Sequence, residues 1–513
     1  MKRPLAIYLF SGIIAFGATV PAPSTPLSLK DAINRSLSHN LGLAASRLDA
    51  AQATEAIELA DAGFDWRFSL RNRLGSARTL TEINSGAPAT DTFDAEFGIT
   101  KPFSSGGSLT LGGSGGRTWY DSNAIPDDDK INLGTSLTFT QPLLKGAWQT
   151  VNLAPVVNAR LGADRSRLQF RATTLDLIRD TETAYWTLAA YRSLVALRES
   201  SMRSAESLLA EVVERRRLGA ATIQEQLQAE ADVANQRVSI LNAKQQADAA
   251  DTRLRSLLGL DGTADAPAEV VVQVLPPEQV SGIDDYRRWL GQVLAFDLDA
   301  QVQQSTVESA QIDLEAARMN DNPQLDLALS GSANGEANRF GSLNSAFNAL
   351  PNDHSWTGAA TLTLSFPLGF RDTEARVRLA ERSRRKADLR LADIRQALTF
   401  TARASWRDLE AARTRREAAA AALELQQQVY EGERSRYSSG VSDIPKILQA
   451  QASLDAAKVS WVSSLLDARI ASARTARLDG TLLSRHGFTW DDAESRSGSG
   501  VGVNDTLPPL KNP

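Results

Sequence analysis

The sequence predicts an α+β membrane protein: long coiled-coil helices interrupted twice by amphipathic strands, arranged as an internal duplication. Three observations carry that expectation. Short matches recur in the same order in the two halves of the chain. Two stretches, Val156 to Leu218 and Thr373 to Tyr437, contain no proline and almost no glycine. Between the helical stretches the apolar period changes from about 3.6 to about 2.

Composition narrows the chemistry before any element is placed. At 513 residues the chain is two or three domains' worth of protein. With 56 Lys+Arg against 61 Asp+Glu the formal charge is −5, so no polyanion-binding surface and no nucleic-acid partner are expected. There is no cysteine, which removes disulfides, thiolate metal sites, a cysteine nucleophile and a lipid-modified N-terminal cysteine. His39, His354 and His486 lie far apart and make no metal centre. Aromatics are 6% of a chain in which small apolar residues dominate, a composition for close helix packing rather than an aromatic-rich enzyme core.

The N-terminus reads as an export signal. Lys2 and Arg3 precede an apolar run from Leu5 to about Val20, then Pro21, Pro23 and Pro26. A signal peptide is assigned to residues 1–17, with cleavage between 17 and 22; losing Lys2 and Arg3 takes the charge from −5 to −7. No other apolar run is long enough for a transmembrane helix, so any span must be β.

The first repeat is placed at 27–259. A helix over 28–63 starts at Ser28, with Asp31 three residues on. Strands fill 64–141. Phe68, Leu70 and Leu74 share one face with Trp66, while Arg67, Ser69, Arg71 and Arg73 share the other. Phe93–Phe103, Ser108–Trp119 and Ile131–Phe139 alternate likewise, and the glycines of Gly112–Gly116 read as strand glycines, not a phosphate cradle. Long helices follow over 156–258; the first, from Val156 to Leu218, is a rod of roughly 90 Å if its sixty-odd residues rise 1.5 Å apiece. Leu161, Leu168 and Leu175 recur at a coiled-coil interval, and Gly219 breaks the run. Residues 260–282, with Pro267, Pro276 and Pro277, form a linker.

The second repeat, 283–480, has the same plan: a helix over 283–321, strands over 323–366 and long helices over 373–478 broken at Gly440. Leu41 to Leu70 aligns without gaps to Leu298 to Leu327. Thr138–Leu143 matches Thr363–Leu368, and Leu218-Gly219…Leu227-Gln228-Ala229 matches Ser439-Gly440…Leu448-Gln449-Ala450. The tail, 481–513, reads as flexible beyond Trp490. Strand runs of about ten residues with one apolar face, joined by tight turns such as Ser104–Gly107 and by long polar loops, suit a lipid-facing barrel. So few strands in one chain cannot close around a wide lumen, so several chains must contribute.

With these residues in view the chain resembles the TolC-like outer-membrane efflux protein family over essentially all of 27–480. The carriers are Leu27-Ser28-Leu29 with Asn40-Leu41-Gly42-Leu43, Thr140-Gln141-Pro142-Leu143-Leu144 with Phe366-Pro367-Leu368, and the two helix tips. The resemblance implies a homotrimer: an outer-membrane β-barrel continued by a periplasmic α-helical coiled-coil barrel. It implies a channel that exports small molecules or polypeptides as the exit duct of a tripartite efflux pump or type I secretion system. Its partners would be a periplasmic membrane-fusion adaptor, an inner-membrane transporter and outer-membrane lipid. With no cysteine to lipidate, the barrel alone would hold it there. The competing class is a soluble periplasmic coiled-coil adaptor or scaffold. No catalytic residue, metal ligand or cofactor site is expected; Asp127-Asp128-Asp129 reads as a solvated loop.

The resemblance also assigns residues. Leu218, Gly219, Ser439 and Gly440 match the tips that dock adaptors. Tyr437 and Glu225 match the tyrosine and acid of the family's periplasmic gate; Ser442 replaces its arginine, for which Arg436 is a substitute. Lys446 and Gln449 stand where well-studied members place acidic rings. With Arg67, Arg71 and Arg73 lining the pore, Lys446 would make a basic pathway; the alternative is that Lys446 points aside and the arginines pair with acids such as Glu96. The first repeat offers four strands and the second two. If all six joined one wall, a trimer would have eighteen strands rather than the family's twelve; otherwise the extra pair is a hairpin outside it.

Overall fold

A computed structural model describes residues 27–78, 89–121, 130–260, 270–276, 282–337, 346 and 355–502. The export signal, the Asp127–Asp129 run, His354 and most of the linker and long polar loops lie outside the described residues. The chain divides into two compact units. One is Met1–Ser36, Asp180–Ser281 and Ala411–Ser472; the other is Leu37–Arg179, Gly282–Glu410 and Ala473–Pro513. The first holds the helix tips and the second the strands.

The helix expected over 28–63 is two helices, α1 (Leu29–His39) and α2 (Leu41–Asp61). Asn40 makes the break: it takes an extended backbone, and its side chain accepts from the Leu43 amide at 3.0 Å. Ser28 caps α1, accepting from the Asp31 amide at 3.1 Å. The helix expected over 283–321 divides in the same way into α5 (Tyr286–Phe296) and α6 (Leu298–Met319), because Asp297 caps α6 through the Asp299 amide. The long helices are α3 (Gln149–Arg217), α4 (Ile223–Leu257), α7 (Arg371–Ser438) and α8 (Ile444–Leu478). α3 absorbs Pro155 in its second turn, close to the free amides where a missing N–H costs least.

In the tip-bearing unit, Tyr185 of α3 is fully buried. Its hydroxyl donates to the Leu27 carbonyl at 2.7 Å and accepts from the Gln273 amide at 3.0 Å. Leu27 and Val272 form a parallel bridge, so this one hydroxyl ties two strand fragments to the helix. Burial pushes the phenol's pKa up, which keeps it a donor. Tyr185→Phe removes the hydrogen-bond partner of two partly exposed backbone groups and is expected to cost about 1–3 kcal/mol for the two bonds together, read as a drop in chemical-denaturation midpoint.

The sheet-bearing unit holds one six-stranded antiparallel sheet in sequence order: β1 (Arg67–Arg78), β2 (Ala89–Pro102), β3 (Ser108–Asp121), β4 (Lys130–Pro142), β5 (Gln324–Ala337) and β6 (Ser355–Ser365). β2 and β3 are therefore paired within the same sheet, between β1 and β4. The register sorts the residues into two kinds of row. Ser69, Gly98, Gly112, Ser136, Ser332 and Thr357 are successive cross-strand partners, as are Arg71, Glu96, Ser114, Gly134, Asn334 and Ser355. The alternating rows are apolar: Phe68, Ile99, Leu111 and Leu137 make one, and Leu70 and Phe97 begin the next. One face is thus small and polar, the other apolar.

Glycine in β3 has a packing cause: a Cβ on Gly113 would stand 2.2 Å from the Phe97 ring, which lies across it. The tight turn at Ser104–Gly107 is held from β4. Gln141 accepts from the Ser105 hydroxyl at 2.9 Å and donates to the Ser105 carbonyl at 3.0 Å. Gly106 supplies the positive φ of 82°.

The tail corrects the expectation of flexibility beyond Trp490. Trp490–Arg496 is a helix, α10, following the short α9 (Leu482–Arg485). Its Ala493 and the following Ser497 are fully buried, and Gly498 donates to the Leu37 carbonyl. The apolar content of this segment is too low to announce packing; its anchors are ionic.

Candidate functional site

The two tips close identically. At the end of α3, Gly219 donates to the Arg216 carbonyl at 2.9 Å and Ala220 to the Arg215 carbonyl at 2.8 Å. At the end of α7, Gly440 donates to Tyr437 at 3.0 Å and Val441 to Arg436 at 2.9 Å. Both glycines have φ 75°, the left-handed cap that lets a helix reverse within a few residues. Leu218 is 69% exposed, Ile223 and Leu227 of α4 are exposed after it, and Val441 is exposed at the other tip. Ser439 is exposed and donates to the Ser435 carbonyl.

Tyr437 is turned inward. It is 4% exposed and packs with Leu208, Val212, Ala229, Ile444 and Ile447. The arginine that meets it is Arg215, whose guanidinium lies 4.4 Å above the ring and donates to the Tyr437 carbonyl at 3.3 Å. Arg215 also pairs with Glu211 at 3.1 Å. Burial raises the Tyr437 pKa; Arg215 opposes this, and Glu211 and Glu225 add to it, so the phenol stays protonated.

The other expected gate residues have local partners. Arg436, offered as the substitute arginine, does not reach Tyr437: it is turned to Glu433 at 3.7 Å. Ser442 is buried and donates to the same Glu433. Glu225 completes a capping box with Thr222, accepting from the Thr222 amide at 2.6 Å while Thr222 accepts from the Glu225 amide at 3.2 Å. Lys446 is exposed and 3.5 Å from Asp443; Gln449 is exposed. A signal for Arg215 was present in the sequence. It stands as far before Gly219 as Arg436 stands before Gly440, so the two arginines are equivalent by spacing.

On the sheet's polar face, Arg71 lies 3.8 Å from Glu96, Arg73 is in register with Asp94, and Arg67 donates to the Gly63 carbonyl at 3.2 Å. Lys130 of β4 likewise pairs with Glu336 of β5 at 3.3 Å. The face is charge-balanced rather than the basic track expected from the arginines alone. Among the described residues no cluster of ligating side chains could hold a metal ion, and no helix is long and apolar enough to cross a membrane.

A family model described as outer membrane efflux protein matches residues 108–260 and 289–481. No curated protein matches the chain in sequence. Solved structures share its fold at low identity. The CmeC outer membrane channel of Campylobacter jejuni is 15% identical, with a TM-score of 0.67 over 98% of both chains. The outer membrane protein VceC of Vibrio cholerae is 18% identical, with a TM-score of 0.64 over 88% of this chain and 95% of that one. The open state of the MtrE outer membrane channel of Neisseria gonorrhoeae is 16% identical, with a TM-score of 0.65 over 88% and 89%.

Proposed function

The chain belongs to the outer membrane efflux protein family, and from that premise we propose that three copies build one export duct. Each copy contributes its six strands to a single outer-membrane barrel, and the long helices continue it as a periplasmic tunnel. The duct is the passive exit of a tripartite efflux pump or type I secretion system.

The observation that carries this is the two-faced sheet. Its strands run 11 to 14 residues, enough to cross a bilayer at a tilt. Its apolar face is uncovered by the chain: Phe68, Leu70, Leu74, Trp356 and Leu362 are 62–82% exposed. So much open apolar surface needs lipid or protein against it. The opposite face, with Ser, Thr, Gly and Asn in rows, suits a water-filled lumen, and Arg67, Arg71 and Arg73 line it beside their acids. Paired in this way they favour weak ion selectivity. Three six-stranded sheets supply eighteen strands, the size at which barrels leave an aqueous channel.

The tips take the docking role: Leu218, Gly219, Ser439 and Gly440, with Val441 and Ile223, offer a small apolar surface to a helical hairpin of an adaptor. The packing of Tyr437 and Arg215, with Glu225, Arg436, Ser442, Lys446 and Gln449 around it, forms the periplasmic gate. The test is fractionation followed by mass measurement. The protein should stay in the outer membrane through a carbonate wash and leave it only in detergent, with the mass of three chains. Release by carbonate alone would refute the barrel in favour of a soluble adaptor.

A further inference from the structure

The tip-bearing unit holds a buried polar layer that neither the gate nor the apolar core uses. Asp455 of α8 is 4% exposed, and the Ser201 hydroxyl of α3 donates to its Oδ1 at 2.7 Å. Its Oδ2 has no hydrogen-bond partner. Gln451, one turn earlier on α8 and also buried, donates to the Ser201 carbonyl at 3.4 Å. On α4, the side-chain amide of buried Gln236 donates to Asp232, one turn before it, while the Gln236 Oε1 is left without a partner. The charge of Asp455 reaches Asp232. Two carboxylates and two unpartnered acceptor atoms thus share one layer across α3, α4 and α8.

No cation offsets them. Among the described residues neither Asp232 nor Asp455 makes an ion pair. On α3, Glu199 is turned to Lys244 at 3.3 Å, and Arg198 and Arg203 pair with neither carboxylate. Glu230 and Arg237 flank the layer on α4 and Lys458 on α8, and the two bases do not reach it. On α7, the Tyr430 hydroxyl accepts from Arg434 and Glu431 accepts from Gln427. Two like charges in a poorly solvated layer oppose each other's ionisation, and a layer made of acceptors needs a donor. One proton meets both needs.

We propose that Asp232 and Asp455 form a proton-binding site that holds one proton between them, and that this proton tightens the tips as the medium turns acidic. The proton resides on Asp232, whose O–H then serves the open Oδ2 of Asp455, while Asp455 keeps the Ser201 hydroxyl. Burial raises the Asp232 pKa, the Gln236 hydrogen bond opposes this, and the Asp455 charge adds to it. A carboxyl raised in the folded state gives stability that is complete below the ordinary aspartate value and is lost as the pH climbs through the raised one. Acid therefore tightens the layer and neutral pH loosens it. Calcium is a poor alternative, because it takes about 6–8 oxygen ligands and this layer offers few.

The layer lies one turn from the Tyr437 cluster. Asp232 follows Ala229 by three residues and Gln451 follows Ile447 by four, and Ala229 and Ile447 both belong to that cluster. A proton that draws α4 and α8 together therefore favours the packed tip. Its effect on passage rests on the gate proposed above; the proton site itself does not.

The test uses the full-length protein in detergent at mildly acid pH, where ordinary aspartates, with pKa about 3.9, stay ionised. An infrared difference spectrum against neutral pH should show a protonated-carboxyl stretch that Asp232→Asn removes and Asp455→Asn moves to lower pH. Amide exchange in α4 and α8, corrected for its intrinsic pH dependence, should slow several-fold on acidification. Asp232→Asn, whose amide donates as the protonated acid does, should exchange slowly at both pH values. Should that variant fail to fold, the shift in Asp455→Asn carries the test. A band kept in Asp232→Asn or unmoved in Asp455→Asn, or exchange in the unaltered protein that ignores pH, would overturn the site. Slowing by added magnesium at neutral pH in place of acid would overturn it in favour of a metal ion. If band and slowing appear as expected while single-channel conductance ignores pH, the proton site stands and the gate reading falls.

Discussion

Replacing Glu494 by alanine is expected to lower the stability of the sheet-bearing unit by about 3–5 kcal/mol, the usual scale for stripping a buried charge of its partner. Glu494 of α10 is bound by two arginines of α3: Arg167 at 3.1 Å, and Arg171 at 3.2 Å. Their side chains are only 10% and 23% exposed, and that of Glu494 is 15% exposed, so water cannot replace the carboxylate. Arg171 also lies 4.9 Å over the Trp490 ring. Losing the carboxylate leaves two guanidinium groups facing each other in a poorly solvated site.

The comparison that isolates this effect is Ser495→Ala. Ser495 lies on the same helix, but its hydroxyl donates only to the Asp492 carbonyl, so the change should stay within about 0.5 kcal/mol. Denaturation of the purified protein in detergent, with the tail followed by hydrogen exchange, would read both. Equal stability in the two variants would show that α10 is held by Ala493 and Ser497 and not by the ion cluster.

This tail marks where the sequence stops being legible. Helix starts can be read at Ser28, and the end of the α8 helix falls where the glycine at 480 places it, because capping is written in single residues. The alternation of Phe68, Leu70 and Leu74 with Arg67, Arg71 and Arg73 also reads directly, since strand faces need only a period of two. What cannot be read is pairing. That Arg71 lies beside Glu96 requires the register of β1 on β2, and that Arg167 meets Glu494 requires a contact across most of the chain. The division at Asn40 and Asp297 was open to reading, for both are strong N-cap residues, but the apolar period runs on through them and hid the break. At the tips, the same spacing that identified Gly219 and Gly440 offered two equivalent arginines, and only packing distinguishes Arg215 from Arg436.

The second large effect is expected at that packing. Tyr437→Ala should empty the space between Leu208, Val212 and Ile444 and remove the surface on which Arg215 stacks. Losing a buried aromatic costs about 3–5 kcal/mol, enough to shift a two-state closure by more than a hundredfold. Under the gate proposed for this tip, single-channel conductance in a planar bilayer should rise several-fold, and cells should take up large hydrophilic probes they otherwise exclude. Tyr437→Phe discriminates between mechanisms. A gate locked by the phenol hydroxyl would open in both variants. A gate locked by the ring and its arginine would open only in the alanine variant, because phenylalanine keeps the buried volume and the cation above it. The geometry favours the ring: Arg215 contacts the face of Tyr437 and its backbone carbonyl, not its hydroxyl. Arg215→Gln should therefore fall between the two, losing the cation but keeping the core, and its conductance should depend less on salt than that of the unaltered channel. Unchanged conductance in Tyr437→Ala, with the tip shown to be loosened by hydrogen exchange, would mean that this cluster holds the helices together without controlling passage.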